Sequence, residues 1–129
     1  MPVREKRKTI FFDRDGVVNV KLENDYVKST SEFVFRKNFF SFFKTIKDNN
    51  FLAVLVTNQQ CIEKKIISEQ TLVEIHNWMQ EQISIETGYC FDDIYYCPHL
   101  NGSGCMCRKP ATGMFEAAIK KHSVDVLNS

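Results

Sequence analysis

The sequence has no long hydrophobic run and no excess of charge of either sign. Its longest apolar segment, residues 51–56, is far shorter than the roughly 20 residues that a membrane-spanning helix requires. Lys and Arg number 17 against 16 Asp and Glu, so the net charge is +1. This balance lacks the basic excess that is typical of nucleic-acid-binding domains. We therefore expect neither a membrane nor a nucleic-acid partner, and any ligand must bind at a local site.

Proline and glycine are also scarce, at three and five residues, and no repeat or low-complexity segment interrupts the chain. The composition, 43% hydrophobic and 26% charged, is that of a globular protein. The apolar stretch behind the basic N-terminus, residues 9–12, is too short for the core of a signal peptide. We expect a single domain over residues 1–129, located in the cytoplasm.

Short apolar segments alternate with amphipathic ones, as in an α/β domain. Apolar segments rich in β-forming residues predict parallel, buried strands at residues 8–12, 51–56 and 93–96. Helical periodicity predicts helices over residues 38–47, from the capping residue Ser68 to residue 87, and over residues 113–122. His76, on the polar side of the second helix, and His122, near a helix end, are predicted to be surface residues.

Asp13 and Asp15 follow the first predicted strand directly. Open α/β sheets bind ligands at the carboxyl ends of their strands, and two carboxylates at this spacing can hold Mg²⁺ together with a phosphate. Taken alone, the segment fits a solvated Asp/Gly turn equally well. Thr57 and Asn58 end the second predicted strand with hydroxyl and amide groups, a composition that a plain polar strand end shares. Two such ends on adjacent strands favour a phosphate site.

Three of the five cysteines lie within eleven residues of one another, near a histidine. Cys97 and His99 form a Cys-x-His pair, and Cys105 and Cys107 form a Cys-x-Cys pair across a short loop. Four such ligands suit tetrahedral zinc in a structural site, whereas the spacing is poor for a disulfide framework. The alternative is a set of unrelated buried cysteines beside a loop histidine.

Arg108 and Lys109 follow the last of these cysteines immediately. A metal that orders this loop would also direct both cations, with the lysine as a phosphate clamp; a solvated basic pair before Pro110 is the alternative. Cys61 and Cys90 fit no metal pattern and are predicted to be buried thiols.

Together these motifs resemble the haloacid dehalogenase superfamily of phosphatases. Asp13 to Gly16 resemble its first motif, Thr57 its second and Lys109 its third. The sequence is similar in particular to the zinc-containing branch of this superfamily, which includes D-glycero-D-manno-heptose 1,7-bisphosphate phosphatase and histidinol-phosphatase. The similarity lies in Asn19 and in the segments at residues 56–59, 95–99 and 105–110. The resemblance extends from about residue 8 to residue 129. It implies a Rossmann-like parallel sheet with flanking helices and a zinc-binding loop.

The resemblance also implies the chemistry of a phosphomonoesterase. Asp13 would form an aspartyl-phosphate, and Asp15 would protonate the leaving oxygen and later activate water. Both aspartates would contact Mg²⁺, Asp15 through its backbone carbonyl. Thr57 and Lys109 would hold the phosphoryl oxygens. The other implied contacts are zinc ligation by Cys97, His99, Cys105 and Cys107, substrate contacts from Asn58, Arg108 and Lys109, and a substrate-proximal loop at residues 23–26.

The sequence departs from the family pattern in three places. Gln60 and Cys61 stand where the family has Ser and Gly, and residues 63–65 differ from its usual small residue, arginine and glycine. The acidic fourth motif has no counterpart, which implies a domain that lacks this C-terminal segment. The first strand would then have an exposed edge through which the chain could self-associate.

The expected ligand is a small phosphorylated metabolite. Heptose 1,7-bisphosphate, hydrolysed at the 7-phosphate, is the expected substrate, and histidinol phosphate is the alternative. A catalytically impaired relative that acts only as a binding module is the other possible function, because the fourth motif is missing.

Overall fold

The computed structural model describes residues 6–100 and 104–126. Its elements are β1 (Thr9–Phe12), a short 3₁₀ turn (Thr30–Glu32), α1 (Phe39–Asp48), β2 (Leu52–Asn58), α2 (Glu69–Thr87), β3 (Asp93–Cys97) and α3 (Gly113–His122). The three predicted strands and three predicted helices are confirmed, with small shifts at their ends; the 3₁₀ turn was not predicted. Among the described residues, no helix has both the length and the hydrophobicity needed to span a bilayer.

The three strands form one parallel sheet in the order β1-β2-β3. Phe12 pairs with Leu55, and Thr57 pairs with Tyr96, so the carboxyl ends of the strands lie at the same edge of the sheet. Helices α1 and α2 supply the crossovers that parallel neighbours require. The central strand β2 is almost entirely buried, as its continuous apolar run indicates. The prediction that β3 is buried was wrong: apart from Cys97 it is half-buried, because it forms an edge of this sheet.

The two faces of β2 pack against different helices. Ala53 and Leu55 belong to the larger core, on the side of α1 and α2, whereas Val54 and Val56 pack with α3 on the other side. An aromatic cluster dominates the larger core, with ring centroids 5.0 to 6.3 Å apart between Phe12, Phe39, Phe43 and Phe91. The sheet is thus covered by helices on both faces, as the predicted fold class requires.

Helix α2 begins and ends at the residues that the sequence predicts. The Ser68 hydroxyl accepts a 3.0 Å hydrogen bond from the Thr71 backbone N–H, which satisfies a free donor of the first turn. Gly88 ends the helix with a φ of 79°, a conformation that glycine adopts without strain. Beyond this end, Cys90 is exposed and the prediction that it is buried was wrong, because the neighbouring Phe91 occupies the core position; Cys61 is buried as predicted.

The chain after α3 returns to the start of β1. The Arg7 N–H donates a 2.8 Å hydrogen bond to the Ser123 carbonyl, and the Asp125 N–H donates a 2.7 Å hydrogen bond to the Arg7 carbonyl. These bonds form a parallel bridge between Arg7 and Val124. Among the described residues, β2 is the neighbouring strand of β1 in the sheet, and the bridge to Val124 adds a contact just before β1.

Candidate active site

A cleft of about 210 Å³ lies at the carboxyl end of the sheet. Most of the residues predicted to bind phosphate or substrate line it, namely Asp13, Asp15, Asn58, Arg108 and Lys109. Residues of the loop after β1 also line it, and two of them, Asp25 and Tyr26, belong to the substrate-proximal loop that the resemblance implies at residues 23–26. Segments from four separate parts of the chain therefore meet at one site.

Asp13 is a partly exposed charged group of this cleft, with 49% of its side chain accessible. Its Oδ1 atom lies 3.2 Å from Lys109 Nζ and accepts a 2.8 Å hydrogen bond from the Arg14 backbone N–H. Its Oδ2 atom has no hydrogen bond within residues 6–100 and 104–126. One carboxylate oxygen is thus anchored, and the other is available for attack on a ligand.

Asp15 is held more tightly than Asp13. Its Oδ1 atom accepts hydrogen bonds from Arg14 Nη2 at 2.9 Å and from Asn19 Nδ2 at 3.0 Å, and its Oδ2 atom accepts one from Gln59 Nε2 at 2.9 Å. Burial raises the pKa of Asp15, but the Arg14 charge and the three hydrogen bonds together outweigh burial and lower the pKa below its usual value. Gly16 then turns the chain with a φ of 92°, in the region that favours glycine.

Gln59 links Asp15 to the second motif. Its amide nitrogen also donates a 3.0 Å hydrogen bond to the hydroxyl of Thr57, which is buried at the end of β2. Because the Thr57 oxygen accepts this bond, its own proton remains available for a ligand oxygen. The Cys61 thiol lies 3.7 Å from Gln59 Oε1 and fixes the orientation of the amide. Sequence reasoning gave Gln59 no role of its own, although its place after Thr57 and Asn58 at the strand end was a usable signal.

Asn58 fixes the loop that carries Lys109. Its Oδ1 atom accepts a 2.9 Å hydrogen bond from the Lys109 N–H, and its Nδ2 atom donates a 3.2 Å bond to the Lys109 carbonyl. The Lys109 ammonium group donates a 2.9 Å bond to the Val56 carbonyl. Asn58 lines the cleft, but its amide binds protein backbone, so direct contact of Asn58 with substrate stays a prediction.

His76 is buried, and the prediction that it lies at the surface was wrong. Its Nε2 atom lies 3.1 Å from Nη1 of Arg14, which is itself completely buried. Burial and, after it, the Arg14 charge lower the pKa of His76 to about 3. The position of His76, four residues after Leu72 and three before Met79, was the signal for a place on the buried face of α2. His122, also predicted to lie at the surface, is half-buried, with 16% of its side chain exposed and its Nε2 atom 2.9 Å from Asp93.

The four residues predicted to ligate zinc come together beside the cleft. Cys97 Sγ lies 3.4 Å from His99 Nδ1 and 3.5 Å from Cys105 Sγ, and His99 Nδ1 lies 3.2 Å from Cys107 Sγ. All four ligand atoms lie within 4.8 Å of one another. Ligands of one tetrahedral zinc ion are about 3.5 to 3.8 Å apart, so the group can hold such a metal.

The metal-binding group is joined to the active-site loop. Arg108 follows Cys107 and donates a 3.2 Å hydrogen bond from Nη1 to the His99 carbonyl. Lys109 comes next and reaches Asp13. A metal held by this group would therefore restrict the loop that brings both cations to the cleft, as the sequence predicts.

Comparison with known proteins identifies the family. A family model described as polynucleotide kinase 3 phosphatase matches residues 8–128. A D-glycero-beta-D-manno-heptose-1,7-bisphosphate 7-phosphatase from Haemophilus ducreyi is 38% identical over 129 aligned residues, which cover 95% of this chain and 70% of the relative. The enzyme of the same name from Vibrio cholerae is 37% identical, with 93% of this chain and 67% of the relative covered.

A solved structure of similar fold agrees. The crystal structure of D,D-heptose 1,7-bisphosphate phosphatase from B. bronchiseptica, complexed with magnesium and phosphate, has a TM-score of 0.85 and 33% sequence identity, and the match covers 92% of this chain and 65% of that one. The chain thus spans about two thirds of the length of the relatives it matches. It belongs to the haloacid dehalogenase superfamily of phosphatases, in the family that the polynucleotide kinase 3 phosphatase model defines and alongside the heptose 1,7-bisphosphate phosphatases.

Proposed function

We propose that this protein is a cytoplasmic phosphomonoester hydrolase that removes the 7-phosphate of D-glycero-D-manno-heptose 1,7-bisphosphate. The observation that carries the proposal is the meeting of Asp13, Asp15 and Lys109 in one cleft, with the buried hydroxyl of Thr57 linked to Asp15 through the Gln59 amide. The names of the relatives support the substrate, and their similarity covers most of this chain.

Asp13 is the nucleophile in this proposal. Its Oδ2 atom attacks phosphorus, forming an aspartyl-phosphate while the bond from phosphorus to the sugar oxygen breaks. The contacts of Oδ1 with Lys109 and the Arg14 N–H keep the carboxylate in one orientation during the attack. Water then attacks the phosphorus of the intermediate, which releases inorganic phosphate and restores the Asp13 carboxylate.

Asp15 transfers the protons. Oδ1 already accepts two hydrogen bonds and Oδ2 accepts one, so we assign proton transfer to the remaining lone pair of Oδ2. Because its pKa is lowered, Asp15 is ionised in the free site at neutral pH, and the proton that it donates arrives with the substrate. A phosphomonoester, whose second pKa lies near 6, can supply this proton. In the second step, Asp15 accepts a proton from the attacking water.

Thr57 and Lys109 stabilise the phosphoryl group as it moves. The negative charge of the transferring group is spread over its three equatorial oxygens, so a hydroxyl donor and an ammonium group held in advance lower the barrier. Arg108 also lines the cleft, and we assign to it the binding of the remainder of an anionic substrate.

Two metal ions complete the proposal. Mg²⁺ prefers oxygen ligands, and the site offers two. One is the Asp13 carboxylate. The other is the Asp15 backbone carbonyl, because both carboxylate oxygens of Asp15 already accept hydrogen bonds from protein donors. Bound there, Mg²⁺ would neutralise charge on the phosphoryl oxygens. For zinc, Cys97, His99, Cys105 and Cys107 offer a closed tetrahedral set whose role is structural.

The test is Mg²⁺-dependent phosphate release by the 129-residue chain from both anomers of heptose 1,7-bisphosphate and from histidinol phosphate. We expect release from a heptose bisphosphate, with Asp13→Asn inactive because an amide is a poor nucleophile. Preference for histidinol phosphate would change the substrate and keep the mechanism. No release above the Asp13→Asn background, from folded and zinc-loaded protein, would contradict the proposal and favour a binding module.

A further inference from the structure

Arg14 is a buried arginine between the two aspartates of the first motif, with 1% of its side chain exposed. Its Nη2 group donates to Asp15 Oδ1 at 2.9 Å, and its Nη1 group lies 3.1 Å from His76 Nε2. Taking an ion out of water costs as much free energy as a single ion pair returns, or more. A buried arginine with a single ion pair is therefore weak evidence of a gain in stability, and the orientation of its neighbours is the better explanation.

The contact between Arg14 and His76 determines the protonation state of the imidazole. A guanidinium group can only donate hydrogen bonds, so His76 Nε2 must accept, and the ring must be neutral with its proton on Nδ1. The low pKa of His76, about 3, keeps the ring in this state throughout the neutral range. Since His76 lies within the 19-residue helix α2, the acceptor has a fixed position relative to the sheet.

Phe33 restricts the guanidinium group further. The Cζ atom of Arg14 lies 5.8 Å from the centroid of the Phe33 ring, and this ring packs against Trp78, another residue of α2. The Nε atom of Arg14 has no hydrogen-bond partner within the described residues. The planar group is thus held by one partner at each Nη atom and by an aromatic ring, which leaves it a single orientation.

We infer that Arg14 and His76 are positioning residues for Asp15: His76 holds Arg14, and Arg14 holds the carboxylate with its Oδ2 lone pair directed at the transferred proton. Without the bond to Nη2, the Asp15 carboxylate would keep its hydrogen bonds from Asn19 and Gln59 but lose its ion pair with the buried guanidinium, so its orientation would be less restricted. This inference rests on the proposed function, because it assigns the orientation of the proposed acid and base.

The kinetic test compares His76→Leu with His76→Gln. Leucine removes the acceptor and retains apolar volume, whereas glutamine offers an amide oxygen to Arg14. We expect His76→Leu to lower kcat on the order of 10- to 100-fold with little change in KM, because a small displacement of a catalytic group has effects of this size. His76→Gln should recover most of the loss.

The matched control is His122→Leu, which removes a histidine that contacts Asp93 on the far side of the sheet. It should leave kcat unchanged, and unfolding curves should show that all three variants fold. A wild-type kcat in folded His76→Leu, or equal losses in His76→Leu and His76→Gln, would overturn the inference.

Nitrogen-15 NMR tests the same arrangement without turnover. We expect an unprotonated His76 Nε2 and slow rotation of the Arg14 guanidinium in the wild type, fast rotation in His76→Leu and slow rotation in His76→Gln. A protonated Nε2, or a freely rotating Arg14 in the wild type, would overturn the inference. If the wild type showed the expected signals but hydrolysed none of the substrates, the proposed function would fail, whereas the holding of Arg14 by His76 would be established.

Discussion

The ammonium group of Lys109 lies 3.2 Å from Asp13 Oδ1 and donates a 2.9 Å hydrogen bond to the Val56 carbonyl. This side chain reaches from the loop before α3 to the Val56 carbonyl in β2 and to Asp13, which directly follows β1. Lys109 therefore connects Asp13, the proposed nucleophile, with the loop that carries Cys105 and Cys107.

Lys109→Met should lower kcat/KM for the phosphate ester on the order of 100- to 1000-fold, since it removes a prearranged cation from the transferring group. Lys121→Met is the matched control, because Lys121 pairs with Asp93 at 2.7 Å on the exposed side of α3. The control should retain wild-type kcat/KM. Similar rates for Lys109→Met and the control would exclude Lys109 as the phosphate clamp.

Thr57→Val should lower kcat/KM at least about tenfold, because it removes the hydroxyl donor while preserving shape. Thr57→Ser, which keeps the hydroxyl, should recover much of the activity. The comparison separates hydrogen bonding from packing at this buried position. Equal activity in the two variants would show that the hydroxyl does not bind the phosphoryl group.

Cys107→Ser should reduce bound zinc and lower the midpoint of thermal unfolding by at least about 5 °C, because a structural metal contributes directly to folding free energy. Cys90→Ser is the control, since Cys90 is exposed and lies outside the metal-binding group. Metal content by mass spectrometry and unfolding with and without a chelator measure both effects. A full complement of zinc in Cys107→Ser would contradict the proposed ligand set.

Burial of neutral His76 should make the protein less stable as the pH falls. The pKa of His76 is about 3 in the fold against 6.5 for the free side chain, so between these values the unfolded chain binds a proton that the folded chain does not. The contribution of His76 to the free energy of unfolding should therefore fall by about 1.4 kcal/mol for each pH unit between about pH 6.5 and about pH 3.

Urea unfolding across this pH range measures the slope, and His76→Gln should make it shallower. An identical slope in wild type and His76→Gln would show that His76 is protonated in the folded state.

The strands, the helices and the polar side chains at the strand ends could be predicted from the amino-acid sequence. A continuous apolar run predicts a buried strand such as β2, and the spacing of Leu72, Ile75 and Met79 predicts α2, because both patterns reflect which side chains of a regular backbone share a face. The pairing of Cys97 and His99 with Cys105 and Cys107 was also predictable, because a short loop returns the chain to the same place.

The partners of the other polar groups in the site became visible only in the folded chain. Arg14 and His76 are 62 positions apart, and Gln59 and Asp15 are 44 apart, so no local pattern could pair them. The burial of His76 and the exposure of Cys90 depend on which elements pack against them, and the half-buried state of β3 depends on its place at an edge of the sheet. Periodicity determines the face of an element on which a side chain lies, whereas its partners and its burial come from segments that fold against it from elsewhere in the chain.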